Sequence, residues 1–375
     1  MADTFVPELC ERIREAGARK TALCVRGGGT KDFYGEVPRG EVLDVTPYSG
    51  IVAYEPKELV LTVKAGTPLS EVERVLEGER QMLAFEPPRF GGGSTIGGVV
   101  ASGLSGPRRP YAGSLRDFVL GTRVVNGKGE DLSFGGRVIK NVAGYDVSRL
   151  MAGALGTLGV ITEVSFKVLP RPPCEITLSY ALAEAEATKR VNTWAGQPLP
   201  LSATAWLGGR LLVRLSGAET AVRAARAKMG GDEASDLPDF WGALRDHRIA
   251  FFASVGSSPR GGLPPPLWRI SVKPTAEPIA TPHHQLVEWG GGLRWVSGEM
   301  DAAQVRDAAE RAGGHATLFR HGEKSVGVFH PLQPALLKIH RRLKDAFDPS
   351  GILNPGRMYA FNALGPLSGQ SRDDR

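Results

Sequence analysis

Glycine is unevenly distributed along this chain, and its clustering limits the available folds more than any other feature. The clusters fall at Gly27 to Gly29, Gly91 to Gly98, Gly103 to Gly106 and Gly153 to Gly159, all upstream of the proline-rich break Leu169-Pro170-Arg171-Pro172-Pro173. Backbone this bare cannot sustain long regular elements, because each glycine weakens a helix by roughly 1 kcal/mol relative to alanine. The first half is therefore expected to be mixed α/β with functional loops, and the break to mark a domain boundary. At 375 residues, two structural units sharing an interface are expected.

Before the break, Thr21 to Val25, Leu59 to Lys64, Val119 to Asn126 and Gly159 to Leu169 read as strands and Ser70 to Glu77 as a helix. After it come strand Ile176 to Leu182, helix Glu184 to Trp194, strands Ser202 to Trp206 and Leu211 to Leu215, and helix Glu219 to Met229. A loose stretch from Gly256 to Pro266 leads to strand Trp268 to Val272, helix Asp301 to Ala312 and a last helix, Pro334 to Phe347. This order predicts an α+β cap on an antiparallel sheet. The tail after Phe361 reads as disordered.

Several functions are disfavoured by composition. Cys10, Cys24 and Cys174 lie far apart with no CxxC pair, leaving no ligand set for an iron–sulfur cluster. The net charge of +6 could suggest nucleic acid, but the basic residues are interleaved with acids, and small anionic ligands or an acidic partner surface explain it equally well. No apolar run reaches the ~18 residues of a membrane span, and the opening segment reads as a polar amphipathic helix, so a cytoplasmic protein is expected. Neither G-x-G-x-x-G nor G-x-x-x-x-G-K-[ST] occurs.

Two loops carry the expected chemistry. Val25-Arg26-Gly27-Gly28-Gly29-Thr30 follows a strand directly, and three glycines there permit positive φ and a convergence of N–H groups suited to phosphate. A plain flexible turn is an equal alternative for that segment alone. In the second loop, Gly91 to Gly103, small residues persist for thirteen positions, so a flat ring can lie against the backbone. The competing reading is a helix start whose glycines allow tight packing. Near the C-terminus, Pro349 and Pro355 bracket a turn in which Asn354 offers an amide with donors and an acceptor. A helix stop followed by a rigid turn explains that segment equally well.

Taken in order, these segments resemble the FAD-linked oxidases of the vanillyl-alcohol-oxidase (PCMH) type. The resemblance implies that Arg26, Gly27, Gly28, Gly29, Thr30 and Lys31 hold the FAD pyrophosphate. It implies that Thr95, Ile96, Gly97, Gly98, Ala101, Ser102, Gly103, Ser105 and Gly106, with Pro88, line the flavin ring. Gly159, Val160 and Ile161, within Gly156 to Glu163, would reach the adenine end, and Asn354 would return to the flavin. The run Gly97 to Pro110, with Arg116 to Gly121, Lys140 to Asp146 and Phe347 to Arg357, is similar to the FAD-binding E-type subunits of bacterial glycolate oxidases.

That similarity implies an α+β chain: a PCMH-type FAD-binding domain of two α/β subdomains over 1–172, a smaller antiparallel cap over 173–330, a C-terminal helix and turn over 331–361, and a tail over 362–375. It implies non-covalent FAD, since Thr30 stands where relatives with tethered flavin commonly carry a His. It also implies a D-type FAD subunit and an iron–sulfur subunit as partners, through which any peripheral membrane association would come, and a 2-hydroxy acid as substrate. The relatives' His-x-Gly-Asp-Gly-Asn-x-His motif is missing, so no catalytic residue is assigned. Arg108 and Arg109 are carboxylate-binding candidates but are expected to face solvent. His283, His284, His315 and His321 read as ordinary histidines, and no metal is expected. A stand-alone dehydrogenase and a non-catalytic assembly subunit with a vestigial pocket remain the alternatives.

Overall fold

A computed structural model describes residues 4–136, 146–255, 264–281 and 283–360. The sequence motif Lys140 to Tyr145, residues 256–263 of the stretch read as loose, and the tail from Phe361 lie outside these described residues. The opening helix, Phe5–Arg19, buries Val6, Leu9, Cys10, Ile13 and Ala16, a single apolar stripe at helical spacing. Lys20, in the left-handed conformation at φ 54°, ends it.

The N-terminal half is built on two sheets. Leu23–Arg26 pairs in parallel with Glu41–Asp44. A five-stranded antiparallel sheet runs in the order Ile51–Glu55, Val60–Lys64, Val160–Lys167, Val119–Val125, Asp131–Gly135. Its middle strand, Val160–Lys167, is covered on both faces, with six of its eight residues buried although Thr162 and Ser165 are polar. The polar exceptions are satisfied within the sheet: the hydroxyls of Thr62 and Ser165 bond each other at 2.8 Å across neighbouring strands.

At Leu169-Pro170 the chain leaves this sheet, and from Cys174 it builds a second one. That sheet has eight strands, all antiparallel, with Asp232–Glu233, Cys174–Ala181, Arg210–Gly217 and Leu201–Leu207 towards one end and His284–Glu288, Leu293–Ser297, Leu267–Ser271 and His315–Arg320 towards the other. The cap thus carries the larger sheet of the two. Helices Glu184–Ala195, Glu219–Met229 and Ala302–Arg311 bury their apolar positions against it.

A buried ion cluster joins the two halves. Arg108 pairs with Glu86 at 3.3 Å and with Glu175 at 2.8 Å, and Arg214 of the cap pairs with the same Glu86 at 2.9 Å. Arg108 therefore does not face solvent as expected: two carboxylates offset its desolvation, a constellation no local sequence pattern reveals. Arg109 is exposed, with its guanidinium 4.4 Å from the ring centre of Trp289. Among the described residues, no helix is long and apolar enough to cross a membrane.

The last helix, Pro334–Phe347, returns the chain to the N-terminal half. Lys344 is buried there and spends all three ammonium protons, on Thr157 O at 2.7 Å, Leu353 O at 2.8 Å and Asp348 Oδ2 at 2.6 Å. Asp348, fully buried, accepts in turn from Ile352 N and Leu353 N. Burial pulls the Lys344 ammonium below its usual range, and Asp348 opposes that shift. This pair shapes the turn that carries Asn354. Lys344→Met, which leaves Asp348 buried without its cation, is expected to destabilise the chain by about 3–5 kcal/mol, read as a lowered urea midpoint. A midpoint within error of wild type contradicts this role.

Candidate dinucleotide cleft

The first glycine loop ends the strand Leu23–Arg26 and lines a cleft of about 110 Å³. Its three glycines serve different ends. Only Gly29 has positive φ, at 70°. A Cβ on Gly28 would overlap the carbonyl oxygen of Gly93, and one on Gly27 would collide with the Thr95 hydroxyl. The expectation that all three glycines supply positive φ is corrected: two of them are bare so that the first and second loops can touch.

This contact leaves the first loop's donors unused. Among the described residues, the amide N–H groups of Gly27, Gly28, Gly29, Thr30 and Lys31 make no hydrogen bond within the protein. Five adjacent donors lining one cleft form a backbone anion site of the nest type. Cations reinforce it. Lys31 donates to Ser94 Oγ at 2.8 Å, and burial brings its ammonium down to about 8, with Asp246 of the cap opposing. Arg357 holds the loop from behind, donating to the carbonyls of Asp32 at 3.0 Å and of Glu36. Arg26 is paired with Asp32 at 2.8 Å and is exposed.

The second loop contains a helix in spite of its glycines. Ile96–Ser102 is helical, with Thr95 as N-cap, its hydroxyl accepting from Gly98 N at 3.4 Å. The packing alternative thus holds for this segment: a Cβ on Gly97 would come within 2.9 Å of the Ala65 Cβ, so glycine lets the helix lie close against its neighbour. Thr95, Gly97, Gly98, Ala101 and Ser102 line the cleft, while Ile96 is fully buried in the core. Gly103 caps the helix at φ 63° with no room for a Cβ beside Gly153. Neither Ile96 nor Gly103 lines the cleft.

The remaining expected residues divide in the same way. Gly159 and Ile161 line the cleft, whereas Val160 points into the core. Asn354 lines it too, but its amide is committed: Oδ1 accepts from Val25 N at 2.7 Å and Nδ2 donates to Leu155 O at 2.6 Å. Pro88, Ser105 and Gly106 line a second, smaller cavity instead, with Ser105 Oγ accepting from Leu115 N at 2.9 Å. Val25, Asp32, Val45, Ala65, Leu155, Gly156 and Arg357 also line the cleft and were not anticipated from the sequence. Gly156 and Arg357 lay within quoted motifs and were within reach, but Val45 and Ala65 arrive only through tertiary folding.

The second cavity lies where the cap sheet meets the first half. Phe90, Trp295 and Phe319 give it aromatic walls, and Arg245, His247, Arg269 and Glu288 give it charge and polarity. The His247 ring stacks on Phe252 at 3.7 Å, and burial, then Arg320 and Arg269, hold it well below its usual range. His315, His321, His283 and His284 line neither cavity.

Comparison with known proteins shows the family. Residues 6–135 match the FAD binding domain model, and residues 328–358 match that of the FAD linked oxidases, C-terminal domain. FAD is the cofactor these matches identify. The chain is 46% identical over 352 residues, 94% of its own length and 97% of the relative's, to the glycolate oxidase subunit GlcE of Escherichia coli K12. It is 35% identical over 173 residues to the glycolate oxidase subunit GlcD of Bacillus subtilis, covering 46% of this chain and 37% of that protein. p-Cresol methylhydroxylase with substrate bound shares the fold, with a TM-score of 0.69 at 15% identity over 96% of this chain and 88% of that one.

The loop contact separates two glycine substitutions. Gly28→Ala is expected to force the loops apart and cost at least about tenfold in FAD affinity, as an unrelieved backbone clash is worth more than ~1 kcal/mol. Gly92→Ala, where a Cβ meets open space, is expected to bind FAD as wild type does. Equal flavin retention by the two variants, measured by equilibrium dialysis, contradicts the contact.

Proposed function

The chain belongs to the family of the glycolate oxidase subunit GlcE, and from that premise we propose that it is the FAD-holding subunit of a multi-subunit oxidase of glycolate or a related 2-hydroxy acid. When bound, FAD supplies a two-electron acceptor for oxidation of a CH–OH group. The chain's own residues hold and orient it. The observation that carries the proposal is the row of unpaired amide donors from Gly27 to Lys31, which matches a diphosphate and no smaller need of the fold.

In this arrangement the pyrophosphate lies on Gly27 to Lys31, and the adenine end runs past Gly159 and Ile161. The flavin ring lies along Thr95 to Ser102 towards Ser105, Gly106 and Pro88. Residues 1–172 form the flavin-binding unit and 173–330 the cap. A non-covalent cofactor is the reading supported by the cleft lining, which among the described residues holds no His or Cys that could carry a tether. A D-type FAD subunit and an iron–sulfur subunit complete the complex, the reading favoured by the likeness to proteins named as subunits.

Lys31 makes the cleft's affinity depend on pH. With an ammonium titrating at about 8, the protonated fraction falls from roughly nine-tenths at pH 7 to one-tenth at pH 9. Bound phosphate favours the charged form, so FAD affinity is expected to fall by up to about tenfold over that interval. Lys31→Arg, charged throughout, is expected to flatten the profile. Identical profiles for the two proteins remove Lys31 from the phosphate site.

Acid precipitation of the flavin-loaded chain is expected to leave the yellow colour in the supernatant, and a yellow pellet contradicts a dissociable cofactor. With glycolate and a dye acceptor, turnover is expected to need the partner subunits. Robust turnover by the isolated chain overturns that part of the proposal.

A further inference from the structure

The run Pro331 to Ile339 departs from the rest of the surface. Seven of its nine residues are apolar, yet all but Leu332 and Leu337 are exposed. The run leads into the last helix, Pro334–Phe347. Farther along that helix Leu343 and Phe347 pack on the core of the first half, whereas Leu332, Leu336, Leu337 and Ile339 join none of the hydrophobic clusters of the described residues. Leu336 and Ile339 are 48% and 52% exposed. Three positions apart, they make an apolar stripe at helical spacing that meets no core, which marks a surface made to be covered.

Neighbouring segments widen this stripe. Tyr359 lies against His340 of the helix with ring centres 5.8 Å apart and against Phe329 at 5.9 Å, and it donates to His330 O at 3.3 Å. Lys324 donates to the carbonyls of Phe33 at 3.0 Å and Gly35 at 2.5 Å, and Glu36 accepts from Val328 N at 2.7 Å. The helix, the segment Lys324 to His330 and the loop Phe33 to Val37 are thereby stitched together. Val326 and Val37 lie on these segments, so four of the six large hydrophobic side chains exposed among the described residues fall on this ground. Pro331 and Pro334 fix the backbone there, which lowers the ordering cost of docking. Charge selects what can dock. Lys338, Arg341 and Arg342 are exposed on the same helix, and among the described residues none has a carboxylate within 4.0 Å. Lys338 stands three and four positions from the two arginines, and Ile339 three from Arg342, so an uncompensated cationic flank adjoins the apolar stripe.

We propose that this face docks a different protein subunit, through a surface that is apolar at its centre and carries carboxylates along one flank. That the partner is a subunit of the same oxidase rests on the multi-subunit function proposed above. A second copy of this chain would bring the same three cations to the same contact, which like-charge repulsion opposes. An anionic bilayer would accept the cations but meet only two large aliphatic side chains of the helix, where a helix lying in a membrane interface presents a full apolar face. A protein surface can match both parts at once, with the stripe as the dry centre and the cations as the polar rim.

The test uses the full chain co-expressed with the D-type FAD subunit and the iron–sulfur subunit and captured through a tag on this chain. Wild type is expected to retain at least one of the two, less firmly as salt is raised. Ile339→Asp is expected to weaken that binding at least about thirtyfold, as a charge placed at a dry interface centre does. Arg341→Glu combined with Arg342→Glu is expected to weaken it at least about tenfold and to remove most of the salt dependence. Val52→Asp, which puts the same charge on an exposed side chain of the strand Ile51–Glu55, is expected to bind as wild type does. All three variants are expected to keep wild-type circular dichroism and flavin content. Wild-type binding by both face variants, or equal loss in Val52→Asp and Ile339→Asp, overturns this surface and leaves the multi-subunit function standing. A wild-type chain that retains neither subunit overturns that function, and this surface with it. Other occupants give other results, and each overturns the proposal. A dimer of the isolated chain that Ile339→Asp dissociates, seen by sedimentation, assigns the face to a second copy. Binding of the isolated chain to phosphatidylglycerol vesicles that Ile339→Asp abolishes assigns it to lipid. An Ile339→Cys thiol that alkylates only after removal of residues 361–375 assigns it to the chain's own tail.

Discussion

The closeness of Gly28 to Gly93 governs the first half of this protein. With no side chain on either residue, two loops more than sixty positions apart meet backbone to backbone, and the Gly93 carbonyl occupies the space a Cβ on Gly28 would need. Ile96 N and Gly97 N of the second loop bond Thr67 O and Ala65 O, but the first loop's donors find no such partners. The first loop therefore keeps a set of unpaired N–H groups on a cleft wall, where water or an anion must satisfy them. An unpaired buried amide costs about 1–3 kcal/mol, so such a row persists only where solvent or a ligand reaches it.

Two loops in contact still need a third wall, and it comes from the far end of the chain. Lys344 and Asp348 compensate each other in the interior and fix the turn from Ile352 to Asn354 by hydrogen bonds to its backbone. From that turn Asn354, itself at φ 42°, ties Val25 to Leu155. The amide thus works as a brace between the phosphate loop's own strand and the segment leading to Gly156. Oδ1 and one Nδ2 proton are engaged by the protein in this brace, while Asn354 also lines the cleft.

Most regular elements were legible because their periodicity is local: Glu219–Met229 and Pro334–Phe347 form over the expected ranges. Strands Ile51–Glu55, His284–Glu288, Leu293–Ser297 and His315–Arg320 were not, since each mixes charged or polar residues among its apolar ones. Arg294 is fully buried within Leu293–Ser297 because the carbonyls of Ala276 and Glu277 accept from its guanidinium, contacts invisible in sequence. The two glycine loops were legible as loops, but the division of labour among their glycines was not. Positive φ and close approach leave the same letter in the sequence and differ only in what stands opposite.

The balance of charge around the two cavities follows from the same geometry. Beside the main-chain donors, Lys31, expected with them, lines the cleft and is held by Ser94 of the second loop. Arg26 and Arg357 stand beside it, but one is tied to Asp32 and the other spans carbonyls of the loop. Their charge is largely spent on shaping the backbone, and Lys31 is the cation left to respond to a ligand. In the second cavity the roles are reversed: backbone contributes little, and a guanidinium without a carboxylate partner faces a buried carboxyl across aromatic walls. The two cavities thus differ in what lines them, and the helix Ile96–Ser102, which lines the first cavity and ends at the edge of the second, stands between them.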